Sequence, residues 1–332
     1  MGPLAERLGI IVGAALACAL LAAVMAHGPT PAFALIPLSA LPILIVTLGW
    51  SVSDGLAATA LATLVTSALL GMPNGPLAAF SLAVPALALG AVWRAPLPLF
   101  RRGASSASAS LWPSPGQLGM AAAAIVSAMV LTTVAGIFLS QGGVKPAQDF
   151  AAAKVSAILS LLPDGAVIVT DAMPLREIAA VVVHELPWLC AALGTAFLLF
   201  NLYLAARAVA FSGRLNRPWV DVPTGFRLPI WTIPIFVVAA AAADLLPDGI
   251  DAPAWVVVGA MACLYLFQGL ATFHALTRGA LIRPFALVGL YCALVLEPIW
   301  VPGIVALVGL IESAVSARTR FKIPPSTPPK ST

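Results

Sequence analysis

Apolar runs of about twenty residues, cut off from one another by Pro, Gly and Lys/Arg clusters, recur along nearly the whole of this 332-residue chain. Such a run leaves little choice of fold. In lipid every backbone N–H and C=O must find a partner inside the protein, and a helix of about 20 residues both achieves this and crosses a ~30 Å hydrocarbon core. A mean hydropathy of +1.03 and a charged fraction of 9% are too extreme for a water-soluble surface. The class is therefore all-α: a polytopic transmembrane helical bundle, a multi-pass membrane protein.

Turn and charge signals place spans at about 8–27, 31–50, 54–71, 76–93, 118–140, 186–206, 229–246, 254–276, 283–298 and 301–317. The last two are short, and "EPIWVPG" between them also reads as a re-entrant turn, so the expectation is about ten spans, eight to ten. "VMA" ending at Ala26 fits a signal-peptide cleavage site. The run before it is longer than the usual ~7–15 residues of such a peptide, so a retained first helix is expected.

The distribution of Lys and Arg tests the count independently of hydropathy. With the N-terminus inside, fourteen basic and four acidic residues fall on the inner side, against three basic and nine acidic outside. Both termini are thus expected in the cytoplasm. The net charge of +4 comes from scattered loops and forms no patch for nucleic acid.

The expected organisation is a four-helix N-terminal part (1–93), a flexible cytoplasmic linker carrying "RRGASSASAS" (94–116), a six-helix C-terminal part (117–318), and a disordered Pro-rich tail (319–332). An outer segment, 141–185, reads as two interfacial amphipathic helices.

Polar groups at membrane depth mark sites by default because they are costly there. Asn201 and Gln268 are the candidates, although such amides also serve to join helices. Glu312 is expected to pair with Arg278, Arg283 or Arg318. His184 and Glu185 are candidates at the outer face, where His27, Asp244 or Glu297 can join them around a pocket. Adjacent residues on a helix diverge by about 100°, so no metal site is expected. The four cysteines show no ligand spacing. P-loop, GxSxG, HExxH and Rossmann patterns are all missing from the sequence, so neither an enzyme nor a cofactor is expected.

Ala15, Ala19 and Ala23 put small residues on one face of the first span, a surface that lets another helix approach. In "FSGRLNRPWVDVPTGFRLP" (211–229), Arg214 and Arg217 anchor an inner loop, with Trp219 and Phe226 at headgroup level. This loop is a candidate contact for a partner or for anionic lipid.

"LFNLYLAARAVAFSGRLNRPWVD" (199–221), "LFQGLATFHALTRG" (266–279), "LVGLIESAVSARTR" (307–320) and "LPILIVTLGW" (41–50) together resemble the DUF2232 family of bacterial membrane proteins. Through distant fold similarity that family resembles the substrate-binding S components of energy-coupling-factor transporters. The resemblance implies a bacterial inner (plasma) membrane location, an outward-facing pocket for a small molecule, and a transmembrane coupling subunit with ATPases as partner. It also makes the Ala15/Ala19/Ala23 face a docking surface, and His274 and Arg278, in one of the matching segments, further contact candidates. S components have six spans and their vitamin-binding residues find no counterpart here. The function expected is a transport-related small-molecule-binding subunit. The alternative is a non-transporting scaffold or envelope-biogenesis factor that recruits partners or lipid through basic inner loops, and a membrane enzyme on lipid-linked substrates rests on the buried polar residues alone.

Overall fold

The computed structural model describes residues 3–27, 35, 38–72, 74–95, 112–159, 175–217, 221–316 and 318. These form twelve helices: α1 (Pro3–His27), α2 (Leu41–Gly49), α3 (Val52–Leu70), α4 (Asn74–Arg94), α5 (Pro115–Gln141), α6 (Val144–Leu159), α7 (Leu175–Phe211), α8 (Val222–Gly225), α9 (Thr232–Leu245), α10 (Ala252–Leu276), α11 (Arg283–Leu296) and α12 (Trp300–Val315). No strand occurs among the described residues. The segment 319–332 and most of the expected linker lie outside them.

Six helices, α1, α3, α4, α5, α7 and α10, are long and apolar enough to cross a bilayer. The other four expected spans are shorter. The run 31–50 yields helix only over the nine residues of α2, and α9, α11 and α12 have 14, 14 and 16 residues. At about 1.5 Å per residue these reach roughly 21–24 Å. In the opposite sense, α7 runs 37 residues without interruption. The expected second amphipathic helix and the span after it are one element, which passes through Pro187. The first amphipathic helix is α6, laid against α5 and α7.

Helices α1 to α4 pack as one group, with α3 against both α1 and α4, and α2 in the middle. The second group is built around α10, which touches α5, α7, α8, α9 and α12. Contacts of α2 with α7, and of α4 with α5 and α7, join the two. On α3 the hydroxyls of Thr59, Thr63, Thr66 and Ser67 donate to carbonyls four residues earlier. This lets a polar sequence act as an apolar surface.

The small face of α1 is consumed inside the protein. Ala15 and Ala19 are fully buried, with Cys18 and Ala22 beside them, and Ala23 is half-buried. Outward, α1 presents Leu4, Leu8, Val12, Leu16 and Leu20, the stripe a lipid-facing helix needs. The expected docking face is thus the seam between α1 and its neighbours α2 and α3.

One end of the bundle is basic and heavily cross-tied. Arg94, at the end of α4, donates to the Leu48 carbonyl at the end of α2 (2.8 Å). Arg214, after α7, pairs with Glu6 at the start of α1 (2.8 Å) and lies over the Trp50 ring. Arg278, after α10, pairs with Asp221 (2.9 Å). Arg318, beyond α12, pairs with Glu312 (3.0 Å). Helix ends assigned to one side from charge alone are therefore brought together in space.

Candidate functional site

Gln268 turns out to be a bracket. Its Oε1 accepts from the Leu228 N–H (2.6 Å), and its Nε2 donates to the Gly309 carbonyl (2.9 Å) and to Ser313 Oγ (2.7 Å). One side chain thereby holds α10, α12 and the non-helical chain before α9. That chain enters the bundle with Phe226 and Leu228 buried, so Phe226 packs in the protein core and does not present its ring to lipid. Gln268 lines neither of the two large pockets, and its ligand-binding assignment is withdrawn.

Asn201 is buried on α7 and donates to the Phe197 carbonyl (2.7 Å). With Ser39, Ser81, Val126 and Gly194 it lines a cavity of about 100 Å³, too small for more than a few solvent-sized groups.

His184 is the candidate that reaches a true pocket. A cavity of about 340 Å³ lies between α5, α6, α7 and the start of α10, at the end of the bundle away from the arginines. Met129, Ile137, Phe138, Val183 and Leu186 give it apolar walls, while Gln148, His184 and Asp251 supply polar groups. Asp251 is held from two sides. Its Oδ1 accepts from the Gly249 N–H (2.7 Å) and its Oδ2 from Trp255 Nε1 (2.9 Å), and Trp255 in turn meets the His184 ring edge-on. One ligand atom each from His184, Asp248 and Asp251 lie within 4.8 Å of one another. This is a set of hard and borderline donors able to hold a small cation or a polar headgroup.

Glu185 does not join them, because its carboxylate accepts from Trp188 Nε1 on the next turn of the same helix. The acids His184 meets come from the Pro-Asp-Gly turn before α10, which sequence spacing treated only as a loop. The close ring contact with Trp255, four residues past Asp251, had no signal in sequence.

The expected partner-contact arginines are engaged within the fold. Arg214 and Arg278 hold the ion pairs described above, and Trp219 lies outside the described residues. Arg217 and His274 meet at a second pocket, of about 440 Å³, between α7, α10, α11 and the basic loops. The Arg217 guanidinium sits over the Trp93 ring, 3.2 Å from its centroid, and donates to the Pro113 carbonyl (3.0 Å). Burial lowers its pKa to about 10, so it stays a cation at neutral pH. His274 Nε2 lies 2.8 Å from the Tyr291 hydroxyl.

No family model, curated protein or solved structure matches the chain. The described residues form an all-helical fold with six helices long and apolar enough to cross a membrane and with two sizeable pockets, and a functional reading has to come from the chemistry of those pockets.

Proposed function

We propose that this chain is a transport-related membrane subunit that binds a small molecule in the cavity between α5, α6, α7 and α10. One observation carries the reading: a cavity of about 340 Å³ with apolar walls and a polar rim of His184, Asp251 and Gln148. That size and that division of surface are what sites for small organic molecules have, about 300–1,000 Å³ with a few placed polar groups. The ligand class is a mostly apolar molecule with one polar end facing His184.

The basic end faces the cytoplasm in this reading, as positive-inside placement requires, so the cavity opens on the outer side of a bacterial inner membrane. Both termini are then cytoplasmic. The short helices α2, α9, α11 and α12 complete eight to ten passes. The chain has no ATPase sequence of its own, so a coupling subunit supplies the energy if uptake is active. The scaffold reading is weaker because Arg214 and Arg278 are spent on ion pairs within the protein.

Cys190 offers the test, since it lines the cavity and is otherwise exposed. Extraction of purified wild-type protein in lipid nanodiscs, followed by mass spectrometry, is expected to release a small molecule. Cys190→Trp protein should retain it about tenfold less or worse, a loss of only ~1.4 kcal/mol of binding, at unchanged helical content. Wild-type protein that releases nothing, from cells whose uptake is unaffected by deletion, would refute the reading.

A further inference from the structure

The pocket at the basic end holds a cation that no acid among the described residues pairs with. Four acidic residues belong to this side by the charge distribution: Glu6, Asp54, Asp221 and Glu312. Glu6 is taken by Arg214, Asp221 by Arg278 and Glu312 by Arg318. Asp54 accepts from Ser51 Oγ at the start of α3. The two acids outside the described residues, Asp164 and Asp171, lie in the sequence between α6 and α7.

Arg217, only 6% exposed, forms no ion pair among the described residues. Its Nε, buried, has no hydrogen-bond partner among them. The Trp93 ring and the Pro113 carbonyl stabilise the guanidinium only in part. A buried charge normally persists only when it is paired. Arg217 lines a cavity of about 440 Å³ to which no acidic side chain contributes.

Beyond Arg217 the walls of this cavity are Leu199, Phe200, Phe226, Phe267 and Leu270, with Tyr203, His274 and Tyr291 as polar groups along one side. Phe200, Tyr203 and Tyr291 are each close to half exposed. They stand on α7 and α11, whose nearby exposed groups are apolar on one side (Leu193 and Phe197 on α7, Phe285 and Val288 on α11), with the exposed Arg207 one turn past Tyr203 on the other. The mouth therefore lies where an apolar surface meets a basic end, with room for a chain on the apolar side. A ligand entering there arrives from the membrane with an apolar chain, and it meets the guanidinium at the far end.

We infer that this pocket binds an anion-headed amphiphile from the inner leaflet, its carboxylate or phosphate on Arg217 and its chain along Phe200, Phe267 and Leu270. A guanidinium is the group suited to either head, because it offers paired donors in one plane to two oxygens. The site is separate from the one proposed for the transported molecule, and the two stand or fall independently.

Displacement of a dansyl-labelled fatty acid from the full-length protein in phosphatidylcholine nanodiscs tests this. Decanoate and decyl phosphate are expected to displace the probe about tenfold better than decanol or more, the value of one charge-assisted contact. Inorganic phosphate should not displace it. Arg217→Met keeps an apolar stem over Trp93 and removes the charge, so it should abolish the preference for decanoate over decanol. Leu270→Trp keeps the charge and fills the chain channel, and it should abolish displaceable probe binding altogether. Cys190→Trp should change nothing.

Equal competition by decanol and decanoate in the wild type would overturn the proposal, as would undiminished decanoate preference in Arg217→Met or undiminished probe binding in Leu270→Trp. Displacement by inorganic phosphate as effective as by decanoate would also overturn it, leaving a simple anion site. Should Arg217→Met fail to fold, the Leu270→Trp result decides.

Discussion

Arg318→Ala is expected to cost about 3–5 kcal/mol of folding free energy, the range for breaking one partner out of a buried ion pair. The Arg318 side chain is wholly buried and that of Glu312 nearly so. Nε of Arg318 donates to Glu312 Oε1 (3.0 Å), Nη1 to the Pro223 carbonyl (2.7 Å) and Nη2 to the Phe226 carbonyl (2.9 Å). Truncation removes all three. It leaves a carboxylate whose Oε2 already has no hydrogen-bond partner among the described residues, and it strands two carbonyls inside the fold. The pKa of Arg318 carries the same tension: burial pulls it down, and the hydrogen bond and charge of Glu312 pull it back up. Removing both charges together should be far milder. The double variant Glu312→Leu/Arg318→Met is expected to recover more than half of the loss, because no orphan ion remains. Thermal unfolding in a neutral detergent measures both. A single variant within about 0.5 kcal/mol of wild type, the range of ordinary surface changes, would show that the pair contributes nothing.

Which helix ends gather at one end of the bundle was legible from the charges alone. Arg94, Arg214, Arg278 and Arg318 were grouped by counting charges, and they do gather at one end of the bundle. The purpose of those charges was not legible. Counting treats each arginine as a topological anchor in contact with headgroups, whereas three of these four hold neighbouring segments through ion pairs and the fourth, Arg94, caps a helix end. Sequence distance hides such ties: Arg214 meets Glu6 across 208 residues and Arg318 meets Pro223 across 95.

Helix length was the other point of failure, and for a physical reason. Hydropathy marks a stretch as able to enter the membrane, but a chain can do so without being helical where a neighbour satisfies its backbone. Before α9, the Leu228 N–H has its partner in Gln268, forty residues away, so the helix can begin as late as Thr232. In the reverse case, the expected boundary between an amphipathic helix and a span falls at 185/186, just before Pro187. In α7 the helix continues through it, so that His184 is held in a helical turn beside the cavity. The candidate polar residues of α7 and α10 were visible as polar. Whether each was a bracket, as Gln268 is, or part of a pocket, as His184 is, depended on packing that no local pattern encodes.

The close crossing of α10 and α12 makes the second large effect. A Cβ placed on Gly269 would run into the Val305 carbonyl oxygen, and one placed on Gly309 would run into the Tyr265 carbonyl oxygen. Each helix thus meets the other's backbone at a glycine, the geometry by which helices associate in lipid, where packing rather than water exclusion holds them. The nearest atom met in each case is a main-chain oxygen, which cannot move aside as the end of a side chain can. An added methyl must therefore push the helices apart, and the first bonds to lengthen are those from Gln268 Nε2 to the Gly309 carbonyl and to Ser313. Gly309→Ala and Gly269→Ala are each expected to destabilise by about 3 kcal/mol, the upper part of the range for overpacking. Together they should cost less than the sum, since both open the same crossing. Gly289 on α11 is the control: a Cβ there meets nothing within 4 Å, and alanine favours helix over glycine by about 1 kcal/mol. Gly289→Ala should leave thermal unfolding in detergent unchanged or raise its midpoint. If Gly309→Ala behaves as Gly289→Ala does, then α12 is not seated on α10 at backbone contact, and the Gln268 bracket cannot be what holds the two helices together.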